Sequence, residues 1–229
     1  MATILHIETS TAVCSVAVSS NGDCVFERID REGPNHAVQL GIFVDEALSF
    51  IDSKLLPLDA VGVSGGPGSY TGLRIGVSMA KGICYGRGIP IIAVPTLELM
   101  AVPLLLGERV EEGALLCPML DARRMEVYAA IYDRSLKPVR EVQADVVEAD
   151  TYLPWLEKGK VCFFGNGAEK CKAVITHPNA CFIDGIEPLA KWMMPLAERR
   201  LYNGQTEDVA YYAPFYLKDF VAKTPRKLL

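Results

Sequence analysis

The sequence predicts an α/β protein of two successive lobes, each running β-β-β-α-β-α-β. Three observations carry that expectation. Short β-branched runs bounded by turn residues alternate with longer stretches of helical periodicity. The order of elements in roughly the first hundred residues recurs in the remainder, as a repeat of pattern with negligible repeat of residues. The chain has 229 residues, half of them hydrophobic, enough to bury sizeable cores. The lobes are placed at 1–100 and 101–229, the second carrying a C-terminal tail.

In the first lobe, residues 3–8 (TILHIE), 12–18 (AVCSVAV) and 23–29 (DCVFERI) read as strands. Ser10-Thr11 and Asn21-Gly22 make the turns between them, the second a strong hairpin signal. Asn35 is suited to cap a helix over 36–52, where Leu40, Phe43, Val44, Ala47, Leu48 and Ile51 repeat at helical spacing. A strand at 60–64, a helix at 71–86 and a strand at 89–94 complete the lobe. In the second lobe, strands fit 114–120, 126–132 and 139–147. A helix near 150–158, a strand at 161–164, a turn at Gly165-Asn166-Gly167 and a further helix follow. A strand at 181–183 precedes a helix over 187–202, which Pro195 kinks unless it lies in the first turn. Two such lobes in succession describe the ribonuclease-H-like duplication shared by actin, sugar kinases and heat-shock ATPases, an analogy of fold that gives no function by itself.

The net charge of −5 argues against nucleic acid as a direct partner. Lys218, Lys223, Arg226 and Lys227 read as a solvated terminus. The seven cysteines (14, 24, 84, 117, 162, 171 and 181) form no Cys-x-x-Cys pair and suit reduced thiols in the cytoplasm, Cys14 as a core residue. The opening MATILHIETS lacks the regions of a signal peptide, and no apolar run reaches the ~18 residues of a membrane span.

The most informative stretch is AVGVSGGPGSYTGLRIG at 60–76. A strand feeds a loop with Gly65, Gly66 and Gly68 around Pro67, and Ser69 and Thr71 supply hydroxyls where a helix begins. Such a loop opening on a helix N-terminus suits an anion; it also serves as a plain strand-to-helix turn. The lysine of a P-loop is missing, and Thr71 stands where a dinucleotide fingerprint needs its third glycine. Along the helix, Leu73, Val77, Ala80 and Cys84 form one face, while Gly72, Ile75, Met79, Gly82, Ile83 and Gly86 form a second. That apolar arc exceeds one core contact, and interior glycines at ~1 kcal/mol each need a reason. Close approach of the 36–52 helix within the lobe is one; a seam with a second chain, adding Val38 and Ile42, is the other.

Glu8, Ser10 and Thr11 sit at the first hairpin, where kinases of this fold place a carboxylate for metal and hydroxyls for phosphate. Asp121, in DARRMEVY, occupies the matching hairpin of the second lobe. With Gly66, Gly68 and Ser69, these residues make a candidate vestigial site for a magnesium nucleotide, against the reading that both acids are ordinary strand-end residues. Gly165-Asn166-Gly167 lies where an adenosine pocket could form. The histidines (His6, His36, His177) are scattered, so neither a metal pair nor a Ser-His-Asp or Cys-His nucleophile can be assembled.

The segments ILHIETSTAVCSVAV (4–18), GPNHAVQL (33–40), VGVSGGPGSYTGLRIGVSMAKGI (61–83), VPTLELMA (94–101), DARRMEVY (121–128) and APFYLK (213–218) together resemble the bacterial TsaB family, also called YeaZ. The resemblance implies a two-lobed actin-like fold and a non-catalytic role in making threonylcarbamoyladenosine in tRNA. It implies pairing with the catalytic paralogue TsaD, with the ATPase TsaE joining the pair, and homodimers when the protein is alone. It also places the pairing surface on the helices at 36–52 and 71–86, with tRNA touched only indirectly. The catalytic paralogue carries His-x-x-x-His after the fifth strand of its first lobe. The matching stretch here is Thr96-Leu97-Glu98-Leu99-Met100, and hydroxyl and thioether do not replace two imidazoles at such a metal. No intrinsic metal or cofactor is therefore expected, beyond ATP or ADP with magnesium at a shared interface. The same loss removes the basis for a metalloprotease, a more distant alternative. The competing reading is a small-molecule kinase or ATPase in which Glu8, Asp121 and the 65–69 loop work on a magnesium nucleotide.

Overall fold

A computed structural model describes residues 2–33, 35–107 and 110–218. Of the basic tail, Lys223, Arg226 and Lys227 lie outside the described residues.

The first sheet contains β1 (Thr3–Glu8), β2 (Cys14–Ser20), β3 (Asp23–Asp30), β4 (Ala60–Gly66) and β5 (Ile91–Pro95), in the order β3-β2-β1-β4-β5. β1, β2 and β3 pair antiparallel, while β4 and β5 extend the sheet in parallel from β1. β6 (Leu115–Asp121), β7 (Glu126–Tyr132), β8 (Pro138–Val146), β9 (Val161–Phe164) and β10 (Ala180–Ile183) repeat that plan in the order β10-β9-β6-β7-β8. The central strands are covered on both faces, as parallel sheets require: every residue of β1 and β4 is buried, the polar Thr3, His6, Glu8 and Ser64 included. The two-lobed actin-like duplication is thus the architecture.

Helices α1 (His36–Ser53) and α2 (Tyr70–Arg87) lie side by side on one face of the first sheet. There Leu40, Val44, Ala47 and Ile51 meet Val77, Ala80 and Cys84 over Leu5, Ile7, Val16 and Val18. Ser69 caps α2 by accepting the Gly72 N–H at 3.2 Å, and Gly88 ends it in the left-handed conformation.

A helix the sequence reading did not place, α3 (Thr96–Leu106), joins the lobes. It presents Leu99 and Val102 to the first sheet, and Leu97, Met100, Ala101 and Leu104 to the second. Buried on nearly all sides, it carries no amphipathic stripe, and Pro103 further disguises it. The expected helix at 150–158 shrinks to α4 (Leu153–Leu156), with Pro154 inside that single turn and Gly159 soon after. The helix expected after Gly167 is a 3₁₀ turn, Glu169–Cys171. The last helix divides into a 3₁₀ turn, Ala190–Met193, and α5 (Met194–Tyr202), with Pro195 in its first turn where the missing N–H costs nothing. Leu196 and Ala197 of α5 pack back on Ile4, Ala60 and Ile92, so α5 sits on the first lobe. Residue 100 falls inside α3.

Candidate functional site

The β1–β2 turn and the glycine loop interlock. Ser69 N–H donates to Ser10 O at 2.7 Å, and the Thr9 hydroxyl donates to Gly72 O at 2.7 Å. A Cβ at Gly68 would stand 2.6 Å from Ser10 O, one at Gly72 2.0 Å from Thr9 O, and one at Gly76 2.3 Å from Thr9 Oγ1. Gly66, at φ +102°, would meet Phe215 O at 2.4 Å. Gly66, Gly68 and Gly72 let backbone pass against backbone within the lobe, and Gly76 makes room for the Thr9 side chain. Gly72 therefore belongs to that junction and not to the outer helical face on which the sequence wheel set it. Gly76, which the sequence reading passed over, belongs to the same junction through the Thr9 side chain.

Between the lobes lies a cleft of about 920 Å³. It gathers Ser10, Thr11, Gly68, Ser69 and Asp121 of the sequence-predicted site, together with Asn166. Glu8 and Gly66 do not line it. Gly66 instead borders a separate, mainly apolar cavity of about 500 Å³ with Tyr212 and Phe215. Glu8 lies beneath the cleft floor, fully buried; Oε1 accepts the Ser10 N–H at 2.5 Å and Oε2 has no partner. Burial pushes its carboxyl up to about 7. Asp121 is held by the Lys170 ammonium and accepts the Arg123 N–H at 3.1 Å, while its own N–H donates to Asn166 Oδ1 at 3.0 Å. The two acids thus do not converge on one point.

The cleft nonetheless has the chemistry of an anion site. The first turn of α2 opens on it, the buried Ser10 hydroxyl has no hydrogen-bond partner, and Arg31, Arg123 and Lys218 stand around it. Among the described residues, no three His, Cys, Asp or Glu side chains gather as a metal-ligand set. His6 is bonded through Nε2 to Ser19 Oγ at 2.7 Å, and burial holds its pKa down at about 3, leaving a neutral core imidazole. His36 Nε2 contacts Thr11 O at 2.8 Å. Thr96 and Met100 stand at i and i+4 of α3, both fully buried, with Glu98 between them paired to Arg199 and Arg200 at 2.9 and 2.6 Å.

The second notable feature is the outer face of α1 and α2. Val38 and Ile42 are 64% and 47% exposed. Ile75, Met79 and Ile83 reach the core with one side only, and a Cβ at Gly82 or Gly86 would meet nothing within 4 Å. Nothing among the described residues explains those two glycines.

The sequence reading used 213–218 for its resemblance alone and did not see that the segment at 205–218 straps the edge of the first lobe. Glu207 N–H bonds Ile91 O at 2.9 Å, and Phe215 N–H bonds Gly65 O at 2.8 Å. Lys81 Nζ reaches the carbonyls of Ala210 and Tyr212 at 2.9 and 3.0 Å. The Arg74 guanidinium lies over the rings of Tyr70 and Tyr216, and Lys218 crosses to Glu126 of the second lobe. No periodicity announces such a strap, since long-range backbone bonds hold it.

Fold and cleft define a two-lobed protein of the TsaD type: the family model described as tRNA N6-adenosine threonylcarbamoyltransferase matches residues 31–226. Within that class the chain belongs to the TsaB (YeaZ) family. It is 31% identical to the Escherichia coli tRNA threonylcarbamoyladenosine biosynthesis protein TsaB, over 98% of this chain and 99% of the relative. The Bacillus subtilis protein of the same name is 35% identical, over 76% of this chain and 75% of its own length. The solved structure of YeaZ from Pseudomonas aeruginosa superposes with a TM-score of 0.80 at 24% identity, covering 95% of this chain and all of that one, and so shares the fold.

Proposed function

We propose that this chain is a non-catalytic scaffold and activating subunit in the formation of threonylcarbamoyladenosine in tRNA. In this reading it pairs in the cytoplasm with a TsaD-type catalytic paralogue, a TsaE-type ATPase joins the pair, and tRNA is touched only indirectly; alone, the chain forms homodimers. The observation that carries the reading is the outer face of α1 and α2. Exposed Val38 and Ile42, half-covered Ile75, Met79 and Ile83, and the open notches at Gly82 and Gly86 offer apolar surface and close backbone approach to another helix pair. The buried Thr96 and Met100, in place of two imidazoles, support the non-catalytic part.

Light scattering on the mixture with the paralogue tests the pairing. Wild type gives a heterodimer; Gly82→Glu, which adds a charge in open space, stays folded and does not pair. A Gly82→Glu, Met79→Glu double variant that still co-elutes with the paralogue refutes the seam.

A second reading is favoured by the cleft: the α2 first turn, the unpartnered Ser10 hydroxyl and nearby cations would hold the phosphates of ATP or ADP with magnesium, in the chain itself or at a shared interface. Calorimetry with magnesium-ATP separates the two. Binding with turnover that falls on Asp121→Asn makes the chain an ATPase or kinase; binding without turnover, or none, leaves it a scaffold.

A further inference from the structure

All seven cysteines are free, five buried and two, Cys24 and Cys181, exposed. Two of the seven meet across a strand boundary. β9 and β10 run parallel with Cys162 directly opposite Cys181. Val161 and Phe163 of β9, with Ala180 and Phe182 of β10, point into one core layer; Cys162, Phe164 and Ile183 point into the other. Alternation therefore puts both thiols on the same side of the sheet. Neighbouring strands lie roughly 4.8 Å apart, inside the ~4.4–6.8 Å Cα span that a disulfide bridges. Among the described residues β10 is the sheet edge, bonded to β9 alone, so small adjustments there disturb no further pairing among them.

The surroundings suit thiol chemistry. Cys181 is open to solvent, whereas Cys162 is covered. The Lys160 ammonium, itself paired with Glu111 at 2.6 Å, pulls the Cys162 thiol down, against its burial. Burial and the facing Cys181 and Glu111 push the Cys162 thiol up to about 12, and Cys181, open to solvent, is the thiol that meets an oxidant first.

We propose that Cys162 and Cys181 form a dithiol–disulfide site on the edge of the second lobe, oxidised by small disulfides such as oxidised glutathione. The Cys181 thiolate attacks one glutathione sulfur, breaking that S–S bond, and reduced glutathione leaves with the proton that Cys181 gave up. Cys162 then loses its proton and attacks Cys181 Sγ, expelling the second glutathione as thiol. The two cysteines are oxidised by two electrons and one oxidised glutathione becomes two reduced ones. The product ties β10 covalently to β9.

The test is intact-mass and peptide analysis of the full-length protein after incubation with oxidised glutathione under native conditions, with Cys24→Ser as background to remove the other exposed thiol. The expected product has lost both thiols, carries no glutathione, and yields a peptide joining 162 to 181 that reductant separates. In Cys162→Ser the same treatment leaves a stable glutathione adduct on Cys181. An equally stable adduct on Cys181 when Cys162 is present, or no reaction at Cys181 in either protein, overturns the proposal. Circular dichroism of each variant before oxidation confirms that the comparison is between folded chains.

Discussion

Replacing Glu8 by glutamine should make the protein more stable at alkaline pH and leave it nearly unchanged in acid. Glu8 is fully buried with one oxygen unpartnered, and its carboxyl is raised from 4.5 to about 7. The folded chain therefore keeps a proton that the unfolded chain releases between these values. Stability from this group is full below 4.5 and falls as pH rises through 7, and holding the charge at pH 8 costs ~3 kcal/mol. His6 has the opposite sign. Its folded value is depressed from 6.5 to about 3, so its contribution is full above 6.5 and drains away as pH falls toward 3, by ~5 kcal/mol in all. Between about 4.5 and 6.5 the two slopes cancel. Glutamine keeps an oxygen for the Ser10 N–H, and its amide can donate toward the neighbouring Ser64 hydroxyl. Urea unfolding at a series of pH values should show wild type nearly flat across the middle window. Glu8→Gln should gain ~3 kcal/mol at pH 8 and lose stability steadily below 6.5, as the unopposed imidazole dictates. An equal effect of the substitution at pH 5 and pH 8 would refute the burial argument.

The glycines divide into two classes with opposite expected outcomes. Gly72→Ala forces a methyl to 2.0 Å from Thr9 O, a backbone atom in the interlocked turn, and should cost ~1–3 kcal/mol or more in thermal or urea unfolding. Gly82→Ala meets nothing within 4 Å and removes an interior helical glycine, so the isolated chain should gain ~1 kcal/mol, while its affinity for a docked partner falls in titration calorimetry.

Strand positions were legible because short β-branched runs, Ile4 and Ile7 in β1 and Val61 and Val63 in β4, stand between turn residues, while the Asn21-Gly22 hairpin announces itself. α1 and α2 were legible because each has one buried stripe. α3 was not, since a helix clasped between two sheets is apolar on every side and loses its period. Site residues were legible by type but not by depth. Ser10, Thr11, Ser69 and Asp121 do meet at the cleft, yet sequence spacing cannot say that Glu8 turns into the floor or that Lys170 pairs with Asp121. The close-packed glycines at 66, 68, 72 and 76 and the open ones at 82 and 86 read alike in sequence; only the chain facing each distinguishes them.

Transfer of labelled threonylcarbamoyl groups to tRNA is the most direct measurement. It should be run with this chain alone, with the TsaD-type paralogue and TsaE-type ATPase alone, and with all three together. Docking without chemistry predicts no product from this chain by itself, full product from the three together, and loss of that product when Gly82→Glu replaces wild type. Product formed by this chain with substrates only would contradict the account.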